Sequence, residues 1–342
     1  AEFILPHDRT VLATAERLGL PLVRKGTLYG NREPRGAVPV SKAEVLGAVG
    51  RVGAAPRDGT LSNVLRECEL VPGVAEAIQA RFEVSCAYPG DDLDAAVLSE
   101  GAGAFGDFDT WTVEGGNDRI ARELAAGLGD AVRLSAPVSR VAWRDGEARV
   151  VAGDREAVAD VAVLAVPASV LGAIEFEPAL PPGKDAVRYG QAAKLFAALR
   201  VPAPPSQVMS VDERFWCWTQ LGPDGGSLPF VGAFAGSPGA LETLGVAAGP
   251  GRWLEALAAL RPDLDLDPDR VLLSTWADDP WVRGAYSAAS ATVSLDRDAL
   301  AGPVGPLVFA GEHTAGEWHG LMEGALRSGI RAAQDVLQAS MR

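Results

Sequence analysis

Apolar residues recur every three to four positions in the first third of the chain, which is the spacing of helices with one buried face. The pattern predicts helices at residues 10–18, 41–52, 60–70 and 72–82, and a further one at 118–128. Ser41, followed three residues later by Glu44, predicts a capping box at the start of the second helix. This region is therefore expected to consist mostly of helices and loops.

Strands dominate the pattern after the helix at 118–128. Short apolar or alternating runs predict strands at 132–134, 138–143, 148–152, 161–166, 192–201, 214–219, 228–235, 271–276 and 307–310. Asp145-Gly146 predicts a hairpin turn, and helices are expected to begin at Pro238, Gly251 and Gly320. Together these elements predict an α/β (α+β) fold that contains a mixed, antiparallel-rich sheet.

The last strand and helix are placed as a ligand site would be. The run at 307–310 is apolar and bounded by Pro306 and Gly311, as expected of a strand buried on both faces of a parallel sheet. Glu312 and His313 follow at its carboxyl end, where open α/β sheets bind ligands. The free amides and positive end of the next helix would face the same place.

That helix is predicted to separate its residues into two faces. Glu323 with Arg327, and Arg331 with Asp335, are spaced to pair on one face. The other face is predicted to hold the small and apolar residues Leu321, Ala325, Gly329, Ala332, Ala333 and Val336.

Length, charge and cysteine use narrow the class of protein. The chain has 342 residues, enough for two domains, and a net charge of −14 without any Lys/Arg cluster argues against nucleic-acid binding. No apolar run is long enough to span a bilayer, so no membrane partner is expected. Three scattered cysteines favour a reducing, cytoplasmic setting. Scarce lysine with abundant Ala, Gly and Pro suggests a bacterial gene.

Other site classes find little support in the sequence. His313 and His319 have no third ligand nearby and match no zinc spacing, so no metal site is predicted. A serine-hydrolase elbow, a P-loop, an H-E-x-x-H pair and a C-x-x-C pair do not occur in the sequence.

Three motifs near the end of the chain together resemble the flavin-containing amine oxidases, which include monoamine, polyamine and L-amino-acid oxidases. They are GEHT at 311–314, an aromatic residue two positions before Gly320, and MEGALRSG at 322–329. Residues 276–286, WADDPWVRGAY, also match the W-x-x-x-P-x-x-x-G-x-Y run of that family. The segments 115–125, 132–151 and 159–167 are similar to its middle flavin-binding part.

The resemblance implies how the domains are arranged. A Rossmann-like FAD-binding domain, incomplete at its N-terminus, would comprise residues 1–10, 113–172 and 277–342. An interleaved substrate domain of mixed sheet plus helices would comprise 11–112 and 173–276. The strand, G-x-G-x-x-G turn and helix with which the family opens are not recognised, so a companion fragment carrying G-x-G-x-x-G is expected, unless the record is partial.

The resemblance also implies a reaction and a cofactor. The expected function is FAD-dependent transfer of hydride from the C–N carbon of an amine or amino acid, with imine formation and reoxidation by dioxygen. Ala285 stands where monoamine oxidases carry the cysteine that bonds to flavin, so FAD should be noncovalent. Primary amines, polyamines, L-amino acids and biosynthetic intermediates remain open as substrates. The alternative is a noncatalytic or fragment subunit that needs a second chain to bind FAD.

Three residues carry the chemistry that the resemblance implies. Lys194 would approach flavin N5 through a water, although its alternating strand alone favours an outward, solvated lysine. Trp276 would pack beside the flavin ring, and Tyr286 would form one wall of an aromatic cage for the amine. Composition alone favours a second interpretation of both aromatics, in which they fill a core.

The remaining candidates lie along the expected flavin or beside the substrate. Glu312 would accept a hydrogen bond from the ribityl chain, although such a carboxylate is otherwise usually solvated. Val138 would contact the adenine end, or else be an ordinary hairpin residue. The amides of Leu321 and Met322 would reach the N1/O2 edge, and Leu321 replaces an aromatic residue common in monoamine and polyamine oxidases. His319 would face the substrate. The other expected cofactor contacts are Gly311, Gly320 and Ala325.

Overall fold

The computed structural model describes residues 2–54, 57–100 and 106–339. Its α-helices are α1 (Arg9–Arg17), α2 (Lys42–Val52), α3 (Leu61–Glu67), α4 (Val74–Cys86), α5 (Val97–Glu100), α6 (Asp118–Leu128), α7 (Ala168–Leu171), α8 (Pro238–Thr243), α9 (Gly251–Leu260), α10 (Arg297–Ala301) and α11 (Met322–Ala339). None of the helices in these ranges is both long and apolar enough to cross a membrane.

The strands of the same ranges form several sheets. They are β1 (Leu22–Arg24), β2 (Glu33–Arg35), β3 (Trp111–Val113), β4 (Arg140–Arg144), β5 (Glu147–Ala152), β6 (Arg155–Ala159), β7 (Ala162–Leu164), β8 (Glu175–Glu177), β9 (Arg188–Tyr189), β10 (Ala192–Leu199), β11 (Ser206–Ser210), β12 (Phe215–Thr219), β13 (Phe230–Gly236), β14 (Leu266–Thr275), β15 (Ser287–Ala288) and β16 (Leu307–Phe309). The α/β class expected from the pattern is confirmed.

Helix starts agree with the local signals. Ser41 caps α2 as predicted: its hydroxyl accepts a hydrogen bond from the Glu44 amide at 3.2 Å, and its own amide donates to the Glu44 carboxylate at 2.7 Å. Helix α6 has the predicted bounds, and α8 and α9 begin at the predicted Pro238 and Gly251.

One strand prediction in the middle of the chain is wrong, and several strands there were not predicted. Residues 132–134 form no strand, and the side chain of Leu134 is 84% exposed, because no neighbouring strand or core lies beside it. Strand β6 was missed, because all five of its positions are exposed and it lies at the edge of the sheet β6-β5-β4-β8, so it shows no apolar alternation.

The largest sheet has six strands in the order β14-β10-β13-β12-β11-β2. Alternation along β12 sends Phe215 and Cys217 to one face, where they pack against Trp253 and Leu257 of α9. The opposite face of β12 packs against α2, α3 and α4. The sheet is therefore a layer between two groups of helices.

One row of side chains crosses this sheet on a single face. Lys194 of β10 is the register partner of Phe234 in β13, and Phe234 is the partner of Trp216 in β12. Directly opposed residues on neighbouring strands point to the same side of a sheet. The register therefore places Lys194 on the same face as Trp216, away from the α9 core.

Strand β16 is the buried parallel strand that its sequence predicts. It pairs in parallel with β7, and Leu307 and Phe309 pack beside Val141 on one face. Val308 on the other face packs against Ala332 of α11. The strand thus delivers Glu312 to the end of a fully covered element.

Helix α11 corrects the predicted division of its faces. Ala332 is buried as expected, but Leu321, Ala325, Gly329 and Ala333 are exposed, while Glu323 has no exposed surface. The Glu323 carboxylate accepts hydrogen bonds from the amides of Thr10 and Val11 at 2.9 to 3.0 Å, and it pairs with Arg327 at 2.7 Å. A carboxylate is favourable at a helix N-terminus, so α1 buries it.

Candidate active site

A cavity of about 620 Å³ lies between the six-stranded sheet, α4 and the start of α11. Most residues selected from the sequence line it, although they come from distant parts of the chain. These are Lys194, Trp276, Tyr286, Glu312, His319, Gly320, Leu321, Met322 and Ala325. Ala285, where no cysteine can bond to a flavin, lies on the same wall.

Lys194 is directed into the cavity and is not a solvated surface residue. Its ammonium group forms an ion pair with the Glu2 carboxylate at 3.1 Å, and its side chain is 14% exposed. The other oxygen of Glu2 pairs with Lys25, whose side chain is 1% exposed and whose ammonium lies 4.4 Å from the centre of the Phe3 ring. Glu2, Lys25 and Lys194 form what we call the lysine site.

Electrostatics explain why the lysine site is stable. Burial alone would raise the pKa of Glu2, but Lys25 and Lys194 lower it below the ordinary value. Burial lowers the pKa of Lys25, and Glu2 opposes that change. Two ammonium groups share one carboxylate, so one positive charge remains at this wall.

Tyr286 and Trp276 both line the cavity. Their roles toward a flavin and an amine stay predictions. The Tyr286 hydroxyl donates a hydrogen bond to the carbonyl oxygen of Ser85 in α4. Burial, with smaller contributions from Tyr29 and Cys86, raises the pKa of Tyr286 well above its ordinary value. The phenol therefore stays neutral and presents its ring to the cavity.

Glu312 is held by three donors from its own chain. Its carboxylate accepts from the Ser287 amide at 2.8 Å, from the Ser287 hydroxyl at 2.6 Å and from the Gly320 amide at 2.6 Å. A carboxylate has about four acceptor positions, so one further hydrogen bond can be accepted. Glu312 is thus positioned, and it is not the freely solvated side chain of the alternative interpretation.

The turn into α11 is built on two glycines. Gly320 has φ +75°, in the left-handed region that favours glycine, and it precedes the first turn of α11. A Cβ on Gly324 would lie 2.0 Å from the carbonyl oxygen of Trp318, so only glycine allows this close approach. The first amides of α11 have no partner within the helix, so those of Met322 and its neighbours are available at the cavity.

Both histidines of this segment are held neutral. His313 is buried, and burial lowers its pKa, with Glu312 opposing this. Burial also lowers the pKa of His319, and Arg297 lowers it further. The Nδ1 of His319 lies 3.1 Å from the Gly316 carbonyl oxygen, so we assign the proton to Nδ1. His319 therefore turns its other ring nitrogen away from that bond.

Two predicted cofactor contacts lie outside the cavity lining. Val138 is partly buried beside Leu307 and its neighbours, and Gly311 donates its amide to the Ser328 hydroxyl at 2.9 Å. Their roles toward a cofactor stay predictions. Residues 101–106, GAGAFG, carry the G-x-G-x-x-G spacing, which sequence reasoning overlooked. They follow helix α5 where a strand would be expected, and 101–105 lie outside the described residues.

Sequence reasoning also missed Arg32 and Arg81, which line the same cavity at 6% and 5% exposure. Arg81 lies in α4 among the buried residues Ile78 and Phe82. A charged residue within an apolar helical stripe was a signal that could have identified it. Arg32 precedes the short strand β2, and nothing in its local sequence marks it as buried.

The lining fits the flavin that the resemblance implies. The free amides of the α11 start suit the electron-rich edge of an isoalloxazine ring, and Glu312 retains one acceptor position for a hydroxyl. Trp276 offers a flat apolar surface, and Lys194 supplies positive charge. The residues that would hold the group are thus Trp276, Glu312 and the amides of Leu321 and Met322.

Comparisons with known proteins agree with this geometry. The family model for flavin containing amine oxidoreductases matches residues 94–337. A protein assigned as a flavin-containing monoamine oxidase in Mycobacterium tuberculosis is 30% identical over 235 residues, covering 66% of this chain and 52% of that protein. An L-amino acid dehydrogenase of Synechocystis sp. is 26% identical over 250 residues, covering 66% and 50%. The chain therefore spans about half the length of these relatives.

The fold is matched by a solved structure. Cyclohexylamine oxidase from Brevibacterium oxydans superposes with a TM-score of 0.85 at 19% identity, covering 100% of this chain and 88% of that one. At this identity the likeness concerns the fold. Because the family model matches well over half of its residues, the chain belongs to the family of flavin-containing amine oxidoreductases.

Proposed function

We propose that the protein containing this chain is an FAD-dependent amine oxidoreductase that works in the 620 Å³ cavity. The observation that carries the proposal is the convergence of Lys194, Tyr286 and the first turn of α11 on one cavity. The relatives named above act, by their names, on monoamines and on L-amino acids, which fits an amine as substrate.

The bound flavin would supply a hydride acceptor for the carbon next to the amine nitrogen, so that an imine leaves and dioxygen or another acceptor restores the oxidised form. Lys194 contributes positive charge where negative charge develops. Glu2 holds the Lys194 ammonium group at 3.1 Å, so the charge is fixed in place before any substrate binds. Preorganised charge of this kind requires no rearrangement during the reaction.

The other walls orient the amine and limit water. The Tyr286 phenol is fixed by its hydrogen bond to Ser85, and its neutral ring offers an electron-rich face to the amine. Leu321, 40% exposed, adds an aliphatic surface to the cavity wall. His319 lies beside Gly320 as a neutral imidazole, able to accept or donate a proton near the substrate.

Four further predictions belong to the same proposal. FAD would be noncovalent, because Ala285 lines the cavity where a bonding cysteine would stand. The FAD-binding part would comprise residues 1–10, 113–172 and 277–342. The substrate domain would comprise the remainder. A cytoplasmic location, and a further segment carrying a strand–G-x-G-x-x-G–helix unit, remain predictions.

Replacing Lys194 with Met tests the proposal. The measurement is flavin absorbance in the FAD-loaded protein during anaerobic mixing with an amine panel, and then with dioxygen. We expect the Lys194→Met change to slow flavin reduction or reoxidation by roughly 100-fold, the size found when one preorganised charge-stabilising group is removed.

Lys42→Met serves as the matched control, because Lys42 is another of the chain's few lysines and lies outside the cavity lining. It should leave both rates unchanged. Unchanged rates in Lys194→Met would remove the role assigned to that lysine. A flavin that no amine reduces in the unaltered protein would reject the proposed function.

A further inference from the structure

The cavity contains two further cations, Arg32 and Arg81, which lie far from Lys194 in the sequence. Together with the aromatic residues Tyr29 and Trp216 we call them the arginine cluster. The Arg32 guanidinium lies 3.9 Å from the centre of the Trp216 ring and 4.6 Å from that of the Tyr29 ring. Its Nε donates to the Tyr29 carbonyl oxygen at 3.3 Å. Arg32 is thus held against two aromatic rings, which lie at 87° to each other with their centres 5.7 Å apart.

Arg32 has no carboxylate partner among residues 2–54, 57–100 and 106–339. Its Nη1 is buried there without any hydrogen-bond acceptor, and the groups that oppose the lowering of its pKa by burial are the phenols of Tyr29 and Tyr286. A buried donor without an acceptor is costly, and more so when it carries charge. A guanidinium held in this way is ready to bind an acceptor that enters the cavity.

Arg81 adds a second positive charge at the same place. Its Nη2 donates to the carbonyl oxygen of Tyr29 at 3.2 Å, and its guanidinium lies 5.4 Å from the Tyr29 ring centre. Burial lowers the pKa of Arg81 well below its ordinary value, and the nearby Arg32 lowers it further. Arg81 therefore adds to the attraction that Arg32 exerts on an anion entering the cavity.

The shape of the site selects the kind of anion. The rings of Trp216 and Tyr29 cover two sides of the Arg32 guanidinium, and its buried Nη1 has no hydrogen-bond acceptor among the described residues, so this end can bind a ligand. A guanidinium edge matches a planar carboxylate, which can accept two parallel hydrogen bonds. Tyr286, the proposed amine wall, lies close enough to Arg32 for each to affect the pKa of the other. One small molecule can therefore reach both.

We propose that Arg32, supported by Arg81, binds a carboxylate of the substrate, so that the amine oxidised in this cavity belongs to an amino acid. The proposal rests on the proposed function and names the substrate class for the same site. Arg32 contacts the substrate, whereas Arg81 and Tyr29 position Arg32. The aromatic lining from Phe3, Trp216, Trp218 and Phe234 suits an apolar side chain on that amino acid.

Binding of a simple carboxylate tests the subsite without any turnover. Titration calorimetry on the FAD-loaded protein would compare hydrocinnamate with hydrocinnamyl alcohol, which differ at the charged group. We expect hydrocinnamate to bind at least about 10-fold more tightly, as for one charge-assisted hydrogen bond. Quenching of tryptophan fluorescence provides a second measurement, because Trp216 contacts Arg32.

Variants assign that preference to Arg32. Arg32→Met should weaken hydrocinnamate binding by roughly 10- to 100-fold and leave binding of the alcohol unchanged. Arg32→Lys keeps the charge but loses the pair of parallel N–H donors. Its affinity for hydrocinnamate should therefore lie between those of the unaltered protein and Arg32→Met. Arg35→Met is the matched control, since Arg35 is exposed, lies three residues along the same segment and is outside the cavity lining.

Turnover separates this inference from the proposed function. In the unaltered protein, L-phenylalanine should reduce the flavin at lower concentration than phenethylamine, and Arg32→Met should raise the half-saturating concentration of phenylalanine alone. If phenethylamine serves as well as phenylalanine, the carboxylate inference is wrong and the amine oxidoreductase proposal stands.

If neither compound reduces the flavin while hydrocinnamate binds through Arg32, the subsite stands and the proposed activity falls. Equal affinity for hydrocinnamate and its alcohol in the unaltered protein overturns the inference without any variant. The comparison of the two affinities in the unaltered protein also tests the carboxylate subsite if Arg32→Met does not fold.

Discussion

The lysine site and the arginine cluster line the same cavity, yet the protein neutralises them differently. Lys25 and Lys194 share the Glu2 carboxylate, with side chains 1% and 14% exposed. Arg32 is also buried, but its hydrogen bond goes to a carbonyl oxygen and its guanidinium lies against aromatic rings. Aromatic faces stabilise a cation without cancelling its charge.

The difference separates two cations that share a carboxylate of their own chain from a guanidinium whose Nη1 has no acceptor among the described residues. The lysine site holds its carboxylate within the chain, and removing Glu2 alone would leave both ammonium groups without that counter-charge. A guanidinium with an unbonded Nη1 is incomplete until something else supplies the acceptor. The side chains of both groups are largely buried, so the location of the carboxylate is what distinguishes them.

Glu2→Gln should have the largest effect on stability. The change leaves Lys25, almost fully buried, without its counter-charge, and breaking a buried pair from one side costs about 3 to 5 kcal/mol. We expect the free energy of unfolding, measured by urea denaturation, to fall by roughly that amount.

Asp109→Asn is the control for that change. Asp109 pairs with Arg24 at 2.6 Å, but the two side chains are 36% and 62% exposed. Removing an exposed pair costs at most about 1 kcal/mol. Equal losses in the two variants would show that the lysine site is no more than a surface ion pair.

Acid should remove the advantage that Glu2 confers. The pKa of Glu2 is lowered from 4.5, so its contribution is fully present above pH 4.5 and is lost as the pH falls through the folded-state pKa. Protonated Glu2 resembles Gln, and the difference in unfolding free energy between wild type and Glu2→Gln should shrink toward zero.

The arginine cluster should not respond in the same way. Arg32 keeps its charge throughout the acidic range, and its pKa is governed by burial, Tyr29 and Tyr286 and not by a titrating carboxylate. The difference between wild type and Arg32→Met should therefore stay constant in urea titrations from about pH 7 to about pH 3. A difference that shrinks with acid would mean that a carboxylate acts on Arg32.

The contrast between the two groups also marks where sequence reasoning succeeds. Local signals are enough when the cause lies within a few residues: the Ser41 cap, the bounds of α6 and the buried strand β16 all form as predicted. Lys194 was chosen from its motif context, although its alternating pattern alone predicts a solvated side chain, and it lines the cavity. The residues at the start of α11 were also chosen from their motif, and they line the same cavity.

Long-range causes were not visible in the sequence. Glu2 is 192 positions from Lys194, and no periodicity links them. Glu323 looked like a surface residue because its partners, the amides at the start of α1, lie more than 300 positions away. Arg32 lies against the ring of Trp216. The position of Trp216 relative to Lys194 is set by the pairing of both strands with β13. These placements depend on tertiary packing, which local pattern does not encode.

Arg32→Met should have the smallest effect on stability, which gives the comparison its sharpest test. Met fills a similar volume and removes both the buried charge and its unbonded Nη1, a gain that offsets the lost stacking on Trp216 and Tyr29. We expect the unfolding free energy to change by less than about 1 kcal/mol, against about 3 for Glu2→Gln. Urea denaturation of the ligand-free protein measures it, with Arg35→Met as control. A loss as large as that of Glu2→Gln would show that Arg32 stabilises the fold, and its unpaired charge would no longer indicate a ligand.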